Sequence, residues 1–182
     1  MNKGSDCYRR FLAGDSTAFD EMIREYRARL IFFIDRYTKD TAAAEDIAID
    51  VFTYILLHPR KYNGKTALST YLFMLARSRA IDYIRYKNAR REVELSDAMS
   101  TPAADDPFDT LLKNERKKLL NDALSSLPEE MQAAVHLTFF EGFSYKEAAA
   151  VMKKTPKQVD NLLYRAKTLL KQKLEREVDL LL

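Results

Sequence analysis

Residues 144–174 read SYKEAAAVMKKTPKQVDNLLYRAKTLLKQKL, and their spacing predicts two helices that share one core across a tight turn. Ser144 stands three residues before Glu147, and Thr155 three before Gln158. Each pair can therefore close a capping box, in which side chain and backbone reciprocally satisfy the orphan amides of a helix start. Pro156 suits the first helical position, where no amide hydrogen is needed. Ala148, Ala149 and Val151 give the first helix small contacts that let a second helix cross closely. After the turn at residues 153–155, Val159, Leu162, Leu163, Ala166, Leu169 and Leu170 recur at helical spacing. The opposite face carries Lys157, Gln158, Asn161, Tyr164, Arg165 and Lys167, side chains that reach phosphates and base edges. This stretch alone fits two readings, a DNA-reading helix-turn-helix and a plain helical hairpin with a solvated basic face.

Composition narrows the setting. The chain has 182 residues with four Gly, five Pro and 47% hydrophobic residues, which describes a folded, mostly helical protein of one large or two small domains. A single Cys7 excludes an intrachain disulfide and a cysteine zinc site, and favours a reducing compartment. The N-terminal MNKGSDCYRR lacks the apolar run of a signal peptide. The longest apolar runs, near residues 30–34 and 71–76, fall far short of the ~20 residues of a membrane span. The expectation is a soluble cytoplasmic protein without membrane insertion. Neither His58 nor His136 has a companion at ligand spacing, so no metal, cofactor or catalytic residue is expected.

Working outward along the chain, Asp15 and Ser16 open a helix whose Phe19, Met22, Ile23, Tyr26, Leu30, Phe33, Ile34 and Tyr37 keep one face. A second stripe, Ala44, Ile47, Val51, Tyr54 and Ile55, ends at His58-Pro59. Its outer face carries Glu45, Asp46 and Asp50 with Ile49 and Phe52. Acids interleaved with apolar groups suit a partner's basic surface, although a solvated face is the simpler alternative. A third helix is predicted over about residues 68–89. Charge then changes sharply: residues 60–91 hold nine Lys or Arg against the one acid Asp82, with Tyr62, Tyr71, Phe73, Tyr83 and Tyr86 interleaved. Basic charge with stacking surface suits single-stranded nucleic acid. Residues 92–109 hold six acids, two Pro and no Lys or Arg, and read as a flexible linker. Beyond it, Leu119, Leu120, Ala123, Leu124 and Leu127 mark another helix. One more follows Pro128, with Gly142 as its left-handed cap. The fold class expected is all-α: two small helical domains joined by a flexible linker, at residues 1–91, 92–109 and 110–182.

Three runs carry a family resemblance: AEDIAIDVF (44–52), ALSTYLFMLARSRAIDYIR (67–85) and LPEEMQAAVHLTFFEGFSYKEAAAVM (127–152). In this order, with a linker between, they resemble bacterial sigma factors of the sigma-70 family, of the two-domain ECF type. The resemblance implies a non-catalytic RNA polymerase subunit that directs promoter recognition. It implies that Glu45, Asp46, Asp50 and Phe52 dock on the beta-prime clamp helices of core RNA polymerase, and that the second domain meets the beta flap. It further implies that Tyr62, Asn63, Lys65, Arg77, Arg85, Lys87 and Asn88 hold the melted minus-ten strand. Thr155, Lys157, Gln158, Asp160, Asn161, Tyr164 and Arg165 would then read the minus-thirty-five duplex. Promoter DNA, core polymerase and an anti-sigma factor are the implied partners. The chain departs from the family pattern at Thr66, Ala67, Leu68, Ser69 and Tyr71, where a Gly-Ser-Phe-Arg run and a Trp are common. It departs again at Asp160, Asn161 and Leu162, where the family often has Lys-Ser-Arg. The alternative is a stand-alone helix-turn-helix transcriptional regulator whose first domain binds a protein or effector.

Overall fold

The computed structural model describes residues 3–94 and 114–179, with side chains at residues 4–90 and 120–175. Among the described residues the chain is helical, without strands. The first helix, α1 (Lys3–Leu12), leads through Gly14, whose φ of 95° makes the corner, into α2 (Ser16–Thr38). Asp15 caps α2, accepting from Thr17 N at 3.0 Å and from the Thr17 hydroxyl at 2.6 Å, while Arg10 donates to the same carboxylate from Nε and Nη2. The ends of α1 and α2 are thereby clamped at one corner.

On α2, Met22, Tyr26, Leu30, Phe33, Ile34 and Tyr37 are buried, one stripe at helical spacing. That stripe is the floor of the first core. It packs on α3 (Thr41–Leu57) and on α4 (Leu68–Glu94), with Val51, Ile55, Leu68, Leu72 and Phe73 filling the interior. Each such side chain contributes roughly 1.5–3 kcal/mol by leaving water. Only the first half of α4 belongs to this core, since residues 85–90 are all exposed. The basic end of α4 therefore projects from the domain. The helix continues to Glu94, so the first three residues assigned to the linker, 92–94, are helical. The rest of that segment falls outside the described residues.

The second unit comprises α5 (Asn114–Ser125), α6 (Glu129–Val135), α7 (Tyr145–Met152) and α8 (Pro156–Asp179). Leu137, Val151, Met152, Val159 and Ala166 are buried between them. After α6 the chain does not stop at a simple cap. It widens into a π turn at His136–Phe140, with Glu141 N donating to His136 O at 3.1 Å, before Gly142 reverses it at φ 69°. Such turns are rare and often mark functional positions.

The sequence left the relative placement of the two units open. In the structure they pack into one continuous core, α7 against α4 and α6 against α2. Phe143 meets Phe73 edge-on at 5.3 Å between ring centroids, and His136 lies among aromatic rings of α2 and α4.

Candidate nucleic-acid interface

The outward side of α3 begins beside its N-cap. Asp40 caps the helix, accepting from Ala43 N at 3.1 Å, and this fixes which residues turn outward. Glu45, Asp46, Ile49, Asp50, Thr53, Leu56 and Leu57 are exposed, Ile49 by 53%. The acids are only loosely tied: Glu45 lies 3.9 Å from Arg27, and Asp50 lies 4.0 Å from Arg79. One residue expected on this face is not there. Phe52 is 5% exposed and points inward, edge-on to Phe19 at 6.5 Å. It shares the inward arc with Ala48, Val51 and Ile55. Phe52 is therefore a core residue, and the outward apolar groups are Ile49, Leu56 and Leu57.

Between α3 and α4 lies a braced loop. A 3-10 turn at Pro59–Lys61 leads to Tyr62, half-buried, whose ring meets Tyr8 edge-on at 4.8 Å and Tyr71 at 5.1 Å. Its hydroxyl donates to Thr66 O at 2.6 Å. Asn63 Oδ1 accepts from Lys65 N at 3.1 Å, and Gly64 takes φ 72°, so Asn63 and Lys65 sit on an ordered, exposed tip. Helix α1 supplies the brace, with Tyr8 Oη donating to Pro59 O at 2.5 Å. Burial, with Tyr71 and Tyr62 close by, pushes the Tyr8 phenol up to about 12. Sequence reasoning missed this helix.

The basic residues of α4 divide by position. Arg85, Lys87 and Asn88 are exposed on its projecting end. Lys87 Nζ lies 3.4 Å from Asp40 Oδ2 and 5.6 Å from the Tyr83 ring centroid, and Tyr83 Oη donates to the same Asp40 oxygen at 3.3 Å. One carboxylate thus caps α3 and holds two residues of α4. Burial pushes the Tyr37 phenol to about 12 against the opposing effect of the neighbouring Arg77 guanidinium. Arg77 is half-buried, and its Nε is buried without a hydrogen-bond acceptor among the described residues. Arg77 does not share an open surface with Arg85 and Lys87.

The helix-turn-helix has both capping boxes. Ser144 N donates to Glu147 Oε2 at 2.9 Å, and Glu147 N to Ser144 Oγ at 3.3 Å. Thr155 N donates to Gln158 Oε1 at 2.8 Å, and Gln158 N to Thr155 Oγ1 at 3.2 Å. Lys153 turns the chain in the left-handed region at φ 54°. With Val159, Leu163 and Ala166 buried, the opposite face of α8 presents Lys157, Asn161, Tyr164 and Arg165 to solvent, Tyr164 by 74%. Asp160 is half-buried and pairs with Lys157 at 3.0 Å, which neutralises its charge locally. Thr155 and Gln158 thus shape the helix start.

An acidic helix face, a basic projecting helix and an exposed basic face on the second helix of a helix-turn-helix thus lie on one chain. Residues 22–90 match the family described as Sigma-70 region 2, and residues 117–170 match Sigma-70, region 4. The RNA polymerase sigma-H factor of Pseudomonas aeruginosa is 26% identical over 163 residues, covering 85% of this chain and 84% of its own length. The ECF RNA polymerase sigma factor SigM of Bacillus subtilis is 29% identical over 164 residues, covering 88% and 97%. Among solved structures, the sigma factor RpoE in complex with the anti-sigma factor NepR from Bartonella quintana has the same fold. Its TM-score is 0.68 at 20% identity, over 86% of this chain and 96% of that one. CnrH in complex with the cytosolic domain of CnrY gives 0.65 at 19% identity, over 93% and 96%. The chain belongs to the ECF type of the sigma-70 family, the RNA polymerase sigma factors that direct promoter recognition and transcription initiation. No described helix is long and apolar enough to cross a membrane.

Proposed function

We infer that the chain works as a non-catalytic cytoplasmic subunit with its contacts divided between residues 1–91 and 110–182, tethered by residues 92–109. The outward face of α3, with Glu45, Asp46, Ile49 and Asp50, docks on the beta-prime clamp helices of core polymerase. The second domain meets the beta flap. The loop at Tyr62, Asn63 and Lys65, together with Arg85, Lys87 and Asn88, holds the melted minus-ten strand, while Arg77 stays behind that surface. Extruding a base from the duplex costs a few kcal/mol, and the ordered loop tip beside the contacting rings of Tyr8, Tyr62 and Tyr71 is the surface that offsets it. Lys157, Asn161, Tyr164 and Arg165 enter the major groove at the minus-thirty-five element, with Thr155 and Gln158 setting the helix start and Asp160 steering Lys157. An anti-sigma factor is the expected negative partner, as in the solved complex of RpoE with the anti-sigma factor NepR.

The observation that carries this reading is the outward arc of α3, where loosely paired carboxylates flank exposed Ile49, Leu56 and Leu57. Such an arc has no use in a regulator that binds DNA alone. The test is co-purification with core RNA polymerase of the source bacterium, by wild type and by Asp46→Arg with Asp50→Arg. Binding by the first and not the second is the expected result. Equal binding by both removes α3 from the docking surface.

A further inference from the structure

Helix α1 lies ahead of residues 22–90, the span shared with Sigma-70 region 2. Its packing shows what it holds. Tyr8, 3% exposed, donates from its hydroxyl to Pro59 O at 2.5 Å, a residue 51 positions away, and its ring stands edge-on to Tyr62 at 4.8 Å. Tyr62 in turn donates to Thr66 O at 2.6 Å and packs on Tyr71 at 5.1 Å. One side chain of α1 thus holds the entry of the loop through Pro59 and, by way of Tyr62, its exit at Thr66. The exposed tip at residues 63–65 hangs between these two points. Among the described residues, the loop's other hydrogen bonds run between residues 54 and 71. Tyr8 therefore supplies its tie to an element distant in sequence.

The helix that carries Tyr8 is itself anchored. Arg10 donates to Asp15 at 2.7 Å and to Glu21 of α2 at 2.9 Å, and Phe11 packs on Phe19 at 5.1 Å. At Gly4 the approach is closer still: a Cβ there would come within 2.6 Å of the Tyr26 hydroxyl and 3.5 Å of Leu68 Cβ. Helix α1 thus rests against both α2 and the start of α4. Burial pushes the Tyr8 phenol up to about 12, so its hydroxyl remains a donor across the ordinary pH range.

A loop that receives a melted base loses conformational freedom on binding unless it is ordered beforehand. We propose that Tyr8 is a positioning residue for strand capture, which fixes Pro59 and Tyr62 so that the loop tip is already in the shape that receives the base. The proposal rests on the assignment of strand capture to that loop. Without the Tyr8 hydroxyl the loop samples other shapes, and the strand is bound more weakly by the fraction that stays competent. Loss of one hydrogen bond of ordinary net strength lowers that fraction about fivefold.

The experiment uses core polymerase loaded with the full chain as wild type, Tyr8→Phe, Arg10→Gln, or Asn63→Ala with Lys65→Ala. The probes are single-stranded non-template 12-mers across the minus-ten element of a promoter mapped by transcription of the source genome, intact or with one abasic position in turn. Tyr8→Phe is expected to load on core polymerase as wild type does and to bind the intact 12-mer about fivefold more weakly. At one position the abasic 12-mer is expected to erase that difference, and the loop variant is expected to be indifferent to the same position. A purely structural role for Tyr8 would lower binding of every 12-mer alike. Such a uniform loss, or wild-type affinity in Tyr8→Phe, overturns the proposal. Arg10→Gln loosens α1 without touching Tyr8 or the loop, and is read in the same way if Tyr8→Phe fails to load on core polymerase. Failure of the strand-capture reading shows separately, as wild-type binding of the intact 12-mer by the loop variant.

Discussion

Asp40 is the residue through which local structure and the two proposed first-domain surfaces meet, and replacing it has a calculable cost. In Asp40→Ala the α3 N-cap is lost, which costs about 1 kcal/mol within a range of about 0.5–2. The Tyr83 hydroxyl loses its acceptor, adding roughly 0.5–1.5 kcal/mol. The Lys87 pair, with side chains 55% and 33% exposed, adds less than about 1 kcal/mol. The sum is about 2 kcal/mol, or a fall in melting temperature of roughly 8–16 °C for a domain of under about 100 residues. Asp40→Asn keeps the cap and loses the charge, so it is expected to cost under about 1 kcal/mol. Urea unfolding followed by circular dichroism measures both. Equal losses for Ala and Asn, or an Ala loss below about 0.5 kcal/mol, would refute the capping role. The pH dependence has a definite sign. The Ala43 amide first, then Lys87 and Tyr83, holds the Asp40 carboxyl below its ordinary value against burial. Its contribution is therefore present above the unfolded pKa and lost as pH falls through the folded one.

Asp46→Arg with Asp50→Arg should leave the melting temperature nearly unchanged, because both residues are exposed, yet weaken core polymerase binding by at least ~100-fold. Fluorescence anisotropy of labelled protein against core enzyme reads this directly. At the α1–α2 corner, the Thr17 hydroxyl and then Arg10 hold the Asp15 carboxyl at about 2, below its reference 3.8. Stability from this corner is present above pH 3.8 and falls away toward pH 2, so melting curves of Asp15→Asn should show a flatter acid limb than wild type. Lys157→Ala and Arg165→Ala should each lower the salt slope of holoenzyme binding to a promoter fragment by about 1. An unchanged slope would remove that residue from the phosphate contacts. Thr155→Ala should destabilise the second domain by about 1 kcal/mol through its cap, measured by urea unfolding.

What the sequence disclosed follows from the range of the interactions involved. The capping boxes at Ser144 and Thr155 were legible because hydroxyl and partner stand three residues apart, and the recognition face followed from helical phase alone. Phe52 was misread because α3 is apolar nearly all round, with Ile47, Ile49, Val51 and Phe52 in six residues, so hydrophobicity does not fix its phase. Helix α1 depends on tertiary contacts: Tyr8 reaches Pro59, and Cys7 Sγ donates to Ala18 O at 2.8 Å. The domain seam was invisible for the same reason, since Arg29 and Glu141, which pair across it, lie 112 residues apart. Its polar members, Gln132 and His136, are buried, and a polar side chain gives no hydrophobic signal of that in the sequence.

The central claim is that this chain gives core polymerase its choice of promoter. In vitro transcription with core enzyme on fragments of the source genome, with and without the protein, followed by mapping of transcript 5′ ends, tests it most directly. The account predicts discrete starts that depend on the protein, preceded by a shared pair of sequence elements at fixed separation. Starts identical in its absence, together with tight binding of the isolated protein to duplex DNA, would contradict it.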